Sequence, residues 1–582
     1  MGGFTGVINF RVPEENRYLG SVENQAEKNG IQVFFSGALR NRAELLRELR
    51  VPADTTAAML LLELFQRYGE AAVRKLNGPF VFALWKQQDK TLLLGRDPLG
   101  QKFLFYARNA QGALVFSDSL REVVQQPGIS KECDLQTLAD YFGLGYSPAP
   151  ATIYQTIRKV PPATMLTFTA NGEPGSKLYW KPEYLPKIEI SFPEAVTETR
   201  RLLEQAIRRC LSGRNNANYL LSGGIDSGVV LGLAAPLQKE LGQAISIAFA
   251  ETLYDESPLA AQTAAKHGIR QIVRSVEASE IHLLRKLLSE AGEPFADSSL
   301  LPTHLALLEA GKSASAVFSG DGGDEFFCGY RRLQFLAWRS CCGGIPGSLS
   351  QGLAKMLRPL LPAPSEQRSR LADLSRLLHA LALPAGSSYM SFQEIFSLEL
   401  RHDLLRQNDF QDYREHWQHL AEASQSPDAV EKYDALDINT NLPEDGFRKC
   451  DIANLGLGLD LLCPILDMDV VEFALRLPRS YKLNLCERKR PLRAIGREVL
   501  PDLLLKQGKR GFGTPVSSWF RQALAPEIRQ LAASVEDWDR HGWLNPACVK
   551  RLVQEHLDGK NDHGARLWSL YCLKTWLEQQ NA

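Results

Sequence analysis

The chain has 582 residues, a formal net charge of zero from 67 basic and 67 acidic residues, and a hydrophobic content of 44%. This length and composition suit a globular protein with two or more cored domains, and the charge balance argues against broad, sequence-blind nucleic-acid binding. No apolar run approaches the roughly 20 residues of a membrane span. The segment MGGFTGVINF lacks the features of a signal peptide, and the ten cysteines include no C-x-x-C pair. We therefore expect a cytoplasmic protein with no membrane or nucleic-acid partner.

The first part of the chain is rich in short β-like runs, with amphipathic helical stretches such as AELLRELR and TAAMLLLELFQRYGEAAVRKL between them. Such a mixture predicts an α+β layered domain over residues 1–185. The segment 169–194 carries prolines and turn signals and predicts a linker. The predicted strands are GVINF, IQVFFSG, PFVFALW, TLLLGRD, KFLFYAR, ALVFSD and TMLTFTA.

From residue 193 to 582 the pattern changes. Long helices first alternate with the short buried runs NYLL, AISIAFA, QIVRSV and SAVFSG, which predicts a parallel sheet covered by helices. Beyond about residue 331 the chain is mostly helical, with proline-rich breaks near 359–364. We therefore expect an α/β domain with a largely helical C-terminal part.

The sequence SGGIDS lies between the first of these strands and an apolar helix. Gly223 and Gly224 allow backbone N–H groups to approach a phosphate, and the helix N-terminus that follows favours negative charge. Ser222 and Ser227 offer hydroxyl donors. Asp226 would repel phosphate unless a divalent cation lay between them, so it is predicted to be a Mg²⁺ ligand. The loop lacks the Lys-Ser/Thr ending of a Walker A motif and is a different type of phosphate cradle.

A second glycine-rich loop, SGDGGDE, follows the strand SAVF and begins at Ser319 and Gly320. If its strand runs parallel to the first, both loops emerge at the carboxyl edge of one sheet, where α/β proteins bind ligands. Asp226 and Asp324 would then hold Mg²⁺ between the phosphates of one nucleotide, with Asp321 beside them.

These two loops resemble the pyrophosphate loop and acidic loop of class B asparagine synthetases, within the N-type ATP pyrophosphatases. The segments GEPFADSSLLPTHLAL, NLPEDGFRKCD, CPILDMDVVEFALRLP, KRPLR and KRGFGTPVSSW are similar to the same family, and LNGPFVFALW and RDPLGQKFLFYA resemble its N-terminal glutaminase domain. The resemblance implies an Ntn-hydrolase-like sandwich and a synthetase domain in which ATP adenylates a carboxylate before an amine attacks. Lys489 and Lys509 match the family's lysines, which would stabilise phosphate and oxyanion charge.

The chain departs from the family in its glutaminase residues. Glutamine-dependent members begin Met-Cys-Gly and use that cysteine to release ammonia, whereas this chain has Gly2. The glutamine-holding Asn-Gly-Glu of the family is replaced by Ser36, Gly37 and Ala38, and the family's Arg-Gly-Pro-Asp-Gly segment has no counterpart. We therefore predict a degenerate domain without glutaminase activity that persists as scaffold.

Other departures concern the acceptor. Ile452 and Leu462 stand where asparagine synthetases carry arginines, and Asp460 replaces a glutamate. The loss of two positive charges argues against free aspartate as the substrate. Asp321 occupies the position of a tyrosine in β-lactam synthetases, which counts against that branch. Asp321, aided by Asp460, is the expected proton acceptor for amide formation.

Without delivered ammonia, the amine is expected to lie within the substrate itself. The predicted activity is that of a lasso peptide cyclase, which joins the N-terminal amine of a peptide to an Asp or Glu side chain. Its partners would be a precursor core peptide and, as the resemblance implies, a leader-binding protein and a leader peptidase. β-Lactam formation from a small amino acid, ammonia-dependent asparagine synthesis and a nucleotide-binding scaffold without turnover remain alternatives.

Overall fold

A computed structural model describes residues 3–10, 16–20, 24–170, 172–341, 370–381, 383–424, 426–506 and 513–580, together with positions 352 and 356. Gly2, Lys509 and the proline-rich breaks near 359–364 lie outside these residues. None of the helices within the described ranges is long and apolar enough to cross a membrane.

The N-terminal part contains two antiparallel sheets whose strands are not in sequence order. The first has the order β2-β1-β8-β7-β9 and the second the order β11-β10-β6-β5-β4-β3. The strands are β1 Phe4–Ile8, β2 Arg17–Gly20, β3 Gln25–Lys28, β4 Ile31–Gly37, β5 Phe80–Lys86, β6 Thr91–Arg96, β7 Phe105–Arg108, β8 Leu114–Ser117, β9 Arg158–Lys159, β10 Thr164–Phe168 and β11 Gly175–Leu178. The helices are α1 Arg42–Leu49, α2 Ala57–Tyr68, α3 Leu120–Val124 and α4 Leu135–Leu144.

The two sheets pack face to face because alternate residues of their strands are apolar and point inward. Phe34, Ala83 and Leu94 from the second sheet meet Phe4 and Phe116 from the first in one buried cluster. Helices α1 and α2 cover the outer face of the second sheet. The predicted α+β sandwich is confirmed. One difference is β11, an edge strand that lies inside the predicted linker and pairs with β10.

The rest of the chain surrounds a parallel sheet of order β14-β13-β12-β15-β16. Its strands are β12 Asn218–Leu220, β13 Ala244–Ala248, β14 Gln271–Ser275, β15 Ala316–Phe318 and β16 Asp460–Leu462. The helices that precede residue 342 are α5 Phe192–Leu211, α6 Ile225–Ala234, α7 Ser257–Lys266, α8 Leu283–Ala291, α9 Leu300–Ala310, α10 Gly323–Phe326 and α11 Arg331–Cys341.

The C-terminal part is largely helical, as predicted. A π-helical turn, Leu442–Phe447, runs directly into the helix Arg448–Asn454. The helices are α12 Arg370–Leu381, α13 Ala385–Met390, α14 Leu398–Leu404, α15 Tyr413–Glu422, α16 Ala429–Asn439, α17 Arg448–Asn454, α18 Met468–Arg476, α19 Arg479–Lys482, α20 Arg490–Val499, α21 Asp502–Lys506, α22 Val516–Arg521, α23 Ala525–Ala533, α24 Val535–Trp538, α25 Pro546–Leu557 and α26 Gly564–Gln580.

Two features of this sheet position the site. Strands β12 and β15 are neighbours, with Asn218 opposite Val317, although nearly 100 residues separate them in sequence. The short strand β16, which the helical pattern around it concealed, adds to the far side of β15.

The hydrophobic core is continuous across the two parts of the chain. One buried cluster contains Phe105 and Val115 of the first sheet together with Ile225, Phe318 and Ile452 of the synthetase part. The face of the first sheet that is turned away from the sandwich therefore packs on the second domain.

Candidate active site

The SGGIDS loop joins β12 to the first turn of α6. The Ser222 and Ser227 hydroxyls lie 3.2 Å apart, and the Gly224 N–H donates to Ser222 Oγ over 3.3 Å. Gly224 is the N-cap of α6 and has no side chain with which to cap it. Gly223 has φ +73°, and a Cβ there would lie 2.8 Å from the carbonyl oxygen of Glu256. The loop therefore leaves amide donors at a helix N-terminus, as phosphate binding requires.

The SGDGGDE loop follows β15 and packs directly on the first loop. A Cβ at Gly320 would lie 2.5 Å from the backbone nitrogen of Ser227, and one at Gly323 would lie 2.4 Å from Cγ of Asp226. No side chain fits at either position without movement of a neighbour. These two glycines let the two loops touch, which brings Asp226 to Asp324.

Lys489 lies between these two carboxylates. Its Nζ is 2.7 Å from Asp324 Oδ1 and also bonds the Asp226 carboxylate, and the lysine is only 5% exposed. It immediately precedes α20 and has φ +54°. A Cβ at Gly329 would overlap the Lys489 side chain, 1.9 Å from Cε. A cation from the KRPLR segment thus reaches both acidic side chains through a gap that glycine provides.

These residues fit a magnesium ion only in part. One Asp226 oxygen, Oδ1, is buried without a hydrogen-bond partner, so it has a free lone pair for a cation. Among the described residues no group of three or more His, Cys, Asp or Glu side chains is arranged to hold a metal. Mg²⁺ is commonly held by one or two carboxylates plus substrate phosphates. Asp226 and Asp324 would therefore hold the ion only together with bound nucleotide.

Asp321 points to a second group of polar side chains. Its Oδ2 accepts a hydrogen bond from Ser319 Oγ at 2.8 Å and lies 3.7 Å from Cys450 Sγ. Burial and the Asp321 charge raise the pKa of the Cys450 thiol well above its usual range. Asp321 is thus fixed between its own loop and the NLPEDGFRKCD segment.

The sequence reasoning did not single out the acceptor-side residues near Asp321. Lys449 Nζ lies 3.4 Å from Asp297 Oδ2. Burial lowers the pKa of Lys449, but Asp297, Asp321 and Asp445 outweigh it and raise that pKa overall. Burial and the Asp297 charge raise the pKa of Asp445 to about 8. A hint of these residues was present in the segments GEPFADSS and NLPEDGFRKCD, where acidic and basic residues stand among apolar ones.

Asp460 is not brought to Asp321, and its expected role in proton transfer is corrected. It pairs with Ala316 at the amino end of β15, whereas Asp321 follows the carboxyl end of the same strand. It bonds Arg214 instead. Matching Asp460 to the family's glutamate did not reveal at which end of the strand it lies.

A cavity of about 1310 Å³ joins these elements. At its inner end it is lined by the two loops, including Ser222, Asp226, Ser319, Asp321 and Asp324. The segments α11 and α12 and their neighbours add a mixed lining, in which Arg331, Arg332 and Arg488 stand beside Tyr330, Phe335, Leu377, Phe392, Leu442 and Phe447. The nucleotide loops and the acceptor-side residues therefore share one space.

Comparison with known families accounts for both parts of the chain. Residues 198–578 match the family model for asparagine synthase, and residues 23–180 match that for a glutamine amidotransferase domain. The chain belongs to the asparagine synthase family. It thus combines an Ntn-type amidotransferase domain with a synthetase domain, and it is an ATP-dependent carbon–nitrogen ligase that forms AMP and pyrophosphate.

Two relatives in this family share about a quarter of their aligned residues with this chain. Asparagine synthetase [glutamine-hydrolyzing] 1 of Bacillus subtilis is 26% identical over 551 residues, which cover 94% of this chain and 85% of the relative. A putative asparagine synthetase [glutamine-hydrolyzing] of Mycobacterium tuberculosis is 28% identical over 562 residues, covering 94% and 84%. A solved glutamine phosphoribosylpyrophosphate amidotransferase from B. subtilis matches 47% of this chain and 59% of its own at 12% identity, with a TM-score of only 0.22.

Proposed function

We propose that this asparagine synthase family ligase closes a ring on a peptide. ATP would activate an internal Asp or Glu side chain, and the peptide's own N-terminal amine would attack it, as in lasso peptide cyclases. The departures in the N-terminal domain carry this proposal. The cavity of about 1310 Å³ has to hold ATP as well as the acceptor, and it offers apolar side chains such as Phe335 and Phe392 beside the nucleotide loops.

The glutaminase departures support an internal amine. The position of the family's nucleophile holds Gly2, and no cysteine occurs before Cys133. Ser36 and Gly37 end β4, but they offer neither the amide nor the carboxylate that holds glutamine in the family. With no glutaminase nucleophile at this position, the proposal takes the attacking amine from the substrate itself.

The acceptor side supports a substrate other than free aspartate. Ile452 is fully buried and Leu462 is 7% exposed, and both belong to the apolar core. The Leu462 carbonyl accepts the Ser319 N–H at 2.9 Å, so this apolar position lies directly beside the acidic loop. An arginine at either position would meet apolar neighbours, and its charge would be costly to bury there.

In the proposed reaction, a substrate carboxylate oxygen bonds to the α-phosphorus of ATP and the bond to pyrophosphate breaks. Lys489 and the N–H groups at the start of α6 stabilise the charge on the leaving pyrophosphate. The amine then bonds to the acyl carbon and AMP leaves. A neutral amine is required, and an α-amino group with a pKa near 8 is more often neutral than a lysine near 10.4. Asp321 accepts the proton that the amine loses.

Mg²⁺ belongs to this proposal through Asp226 and Asp324, where it would neutralise phosphate charge when nucleotide is bound. Tethering the amine to the carboxylate raises its effective concentration. A leader-binding protein and a leader peptidase remain predicted partners.

The test is mass spectrometry of a precursor peptide incubated with ATP, Mg²⁺, any leader peptidase and the full chain. Loss of one water together with a blocked N-terminal amine supports the proposal. Asp321→Ala should slow ring closure more than AMP formation, so that hydrolysed adenylate accumulates. Asp409→Ala, an exposed aspartate away from the cavity lining, is the matched control.

Three outcomes would contradict the proposal. Efficient β-lactam formation from a small amino acid, with the peptide unchanged, would favour that branch. Asparagine formed from aspartate and ammonium would assign an ammonia-dependent synthetase. ATP binding with no AMP formed from any of these acceptors would indicate a nucleotide-binding scaffold.

A further inference from the structure

The helical segment 442–454, made of the π-helical turn and α17, has two different faces. Asp445, Gly446, Lys449 and Cys450 line the cavity. Glu444, Arg448 and Asp451 instead contact the N-terminal domain or the boundary with it, and their spacing of four and three residues places them on one side of a helix.

Cations of the N-terminal domain bind the acidic residues on that second face. Arg96 Nη1 lies 3.1 Å from Glu444 Oε1, and Lys159 Nζ lies 3.1 Å from Glu444 Oε2; all three side chains are at most 2% exposed. About two turns further along, Lys102 Nζ lies 2.9 Å from Asp451 Oδ1.

Further contacts hold Lys159 and Arg448 at this boundary between the two domains. Lys159 also lies 3.2 Å from Glu293 Oε1 and donates to the carbonyl oxygen of Ser147 at 2.6 Å. The Arg448 guanidinium stacks 4.9 Å from the ring centre of Phe103 in the N-terminal domain. Burial alone would raise the pKa of Glu444, but Lys159 and Arg96 outweigh it and hold that pKa below its usual value.

We infer that the N-terminal domain positions the acceptor wall of the active site: Arg96, Lys102 and Lys159 hold the 442–454 segment so that Lys449 and Cys450 face Asp321. These cations touch neither the cavity nor Asp321, so they are positioning residues. Buried ion pairs of this kind fix geometry, because moving one partner away leaves an uncompensated charge. This inference needs only the family's ligase activity and does not depend on a peptide substrate.

Cys450 reports the position of this wall. Its thiol is half-buried, faces the cavity and lies beside Asp321; burial, and after it the Asp321 charge, raise the pKa of this thiol. If the wall moves away from Asp321, the thiolate becomes more populated and alkylation becomes faster. Buried Cys210 and Cys572 serve as internal controls, since only general loosening of the chain would expose them.

The experiment is peptide-resolved mass spectrometry of iodoacetamide labelling in the full chain, as a function of pH. Lys159→Met and Lys102→Met should each raise the Cys450 rate, the former by about tenfold, the effect of one unit of thiol pKa. Removing a positive charge by itself would lower that rate, so the sign separates movement from simple electrostatics. Lys102→Arg, which keeps the charge, should return the Cys450 alkylation rate to that of the parent.

Two further measurements complete the test. Lys28→Met is the matched control, because Lys28 also forms an ion pair in the N-terminal domain, at 2.6 Å to Glu63, but on the exposed surface. ATP affinity, measured by calorimetry, should stay within about twofold in all variants, since the phosphate loops lie on another wall of the cavity.

An unchanged or slower Cys450 rate in Lys102→Met overturns the inference, and so does a parallel rise at Cys210 and Cys572 in that variant. If Lys159→Met does not fold, Lys102→Met decides alone, since Lys102 is 26% exposed and its loss is the milder change.

Discussion

The contact between the two phosphate loops can be tested by a single methyl group. In Gly323→Ala the new Cβ would lie 2.4 Å from Cγ, 2.6 Å from Oδ1 and 2.9 Å from Cβ of Asp226, where ordinary contact begins at 3.4 Å. The Asp226 carboxylate must therefore move by about 1 Å, and it is only 10% exposed and bonded to Lys489. Overpacking of this kind costs about 1–3 kcal/mol of stability.

The larger effect is expected on ATP. A displacement of about 1 Å in a positioned group can reduce activity on the order of 100-fold, and we expect ATP affinity in the presence of Mg²⁺ to fall at least tenfold. The assay is calorimetric titration of ATP, with thermal denaturation to show that the variant is folded. Gly175→Ala is the control, because a Cβ there meets only Thr167 at 3.8 Å. ATP affinity within about twofold of the parent in folded Gly323→Ala would refute the loop-on-loop argument.

Three other predictions follow from the same geometry. Lys489→Met should lower the free energy of unfolding by about 3 kcal/mol or more, because two nearly buried carboxylates lose their cation. Added Mg²⁺ should recover part of the lost melting temperature, and a melting temperature equal to that of the parent would contradict the proposed pairing of Lys489 with both aspartates. The full chain should release no glutamate from glutamine, with or without ATP, in a coupled glutamate assay, and ATP-stimulated release from a clean preparation would refute it. Burial raises the pKa of Asp445 to about 8, so the folded state keeps a proton there that the unfolded chain, with an aspartate pKa near 3.9, has already released. Stability should therefore fall as pH rises from about 4 to about 8 and level off above that range; in denaturant melts Asp445→Asn should remove this part of the pH dependence, and identical pH profiles would refute the assignment.

Much of the nucleotide side of the site was predictable from sequence. A strand, a glycine-rich loop and a helix recur twice, and parallel strands place such loops at one edge, so the sequence predicts that Ser222, Asp226 and Asp324 lie near one another. The adjacency of β12 and β15 made the two loops meet.

The acceptor side was harder to predict, because its parts are distant in sequence. Lys449 meets Asp297 only after α9 and α17 pack together, and no local spacing encodes that pairing. The prediction for Asp460 was wrong for a related reason. Asp460 begins a three-residue strand that the surrounding helical pattern conceals, and this strand decides at which end of the sheet the residue lies. Lys489 contacts Asp226 and Asp324 only because Gly329 has no side chain in its way. A sequence pattern does not reveal a steric condition of this kind.

The apolar core that runs without interruption from Phe105 to Phe318 has a consequence for how this protein can change over time. The stability of each part therefore depends on the apolar surface that it buries against the other. Deleting the first 185 residues would expose the apolar surface of the synthetase part that β7 and β8 cover. It would also leave Glu444 and Glu293 without Lys159, their ion-pair partner. A domain can lose its chemistry by point mutation one residue at a time, but it can be discarded only together with the surface it covers, which gives a reason to retain this domain whether or not it releases ammonia.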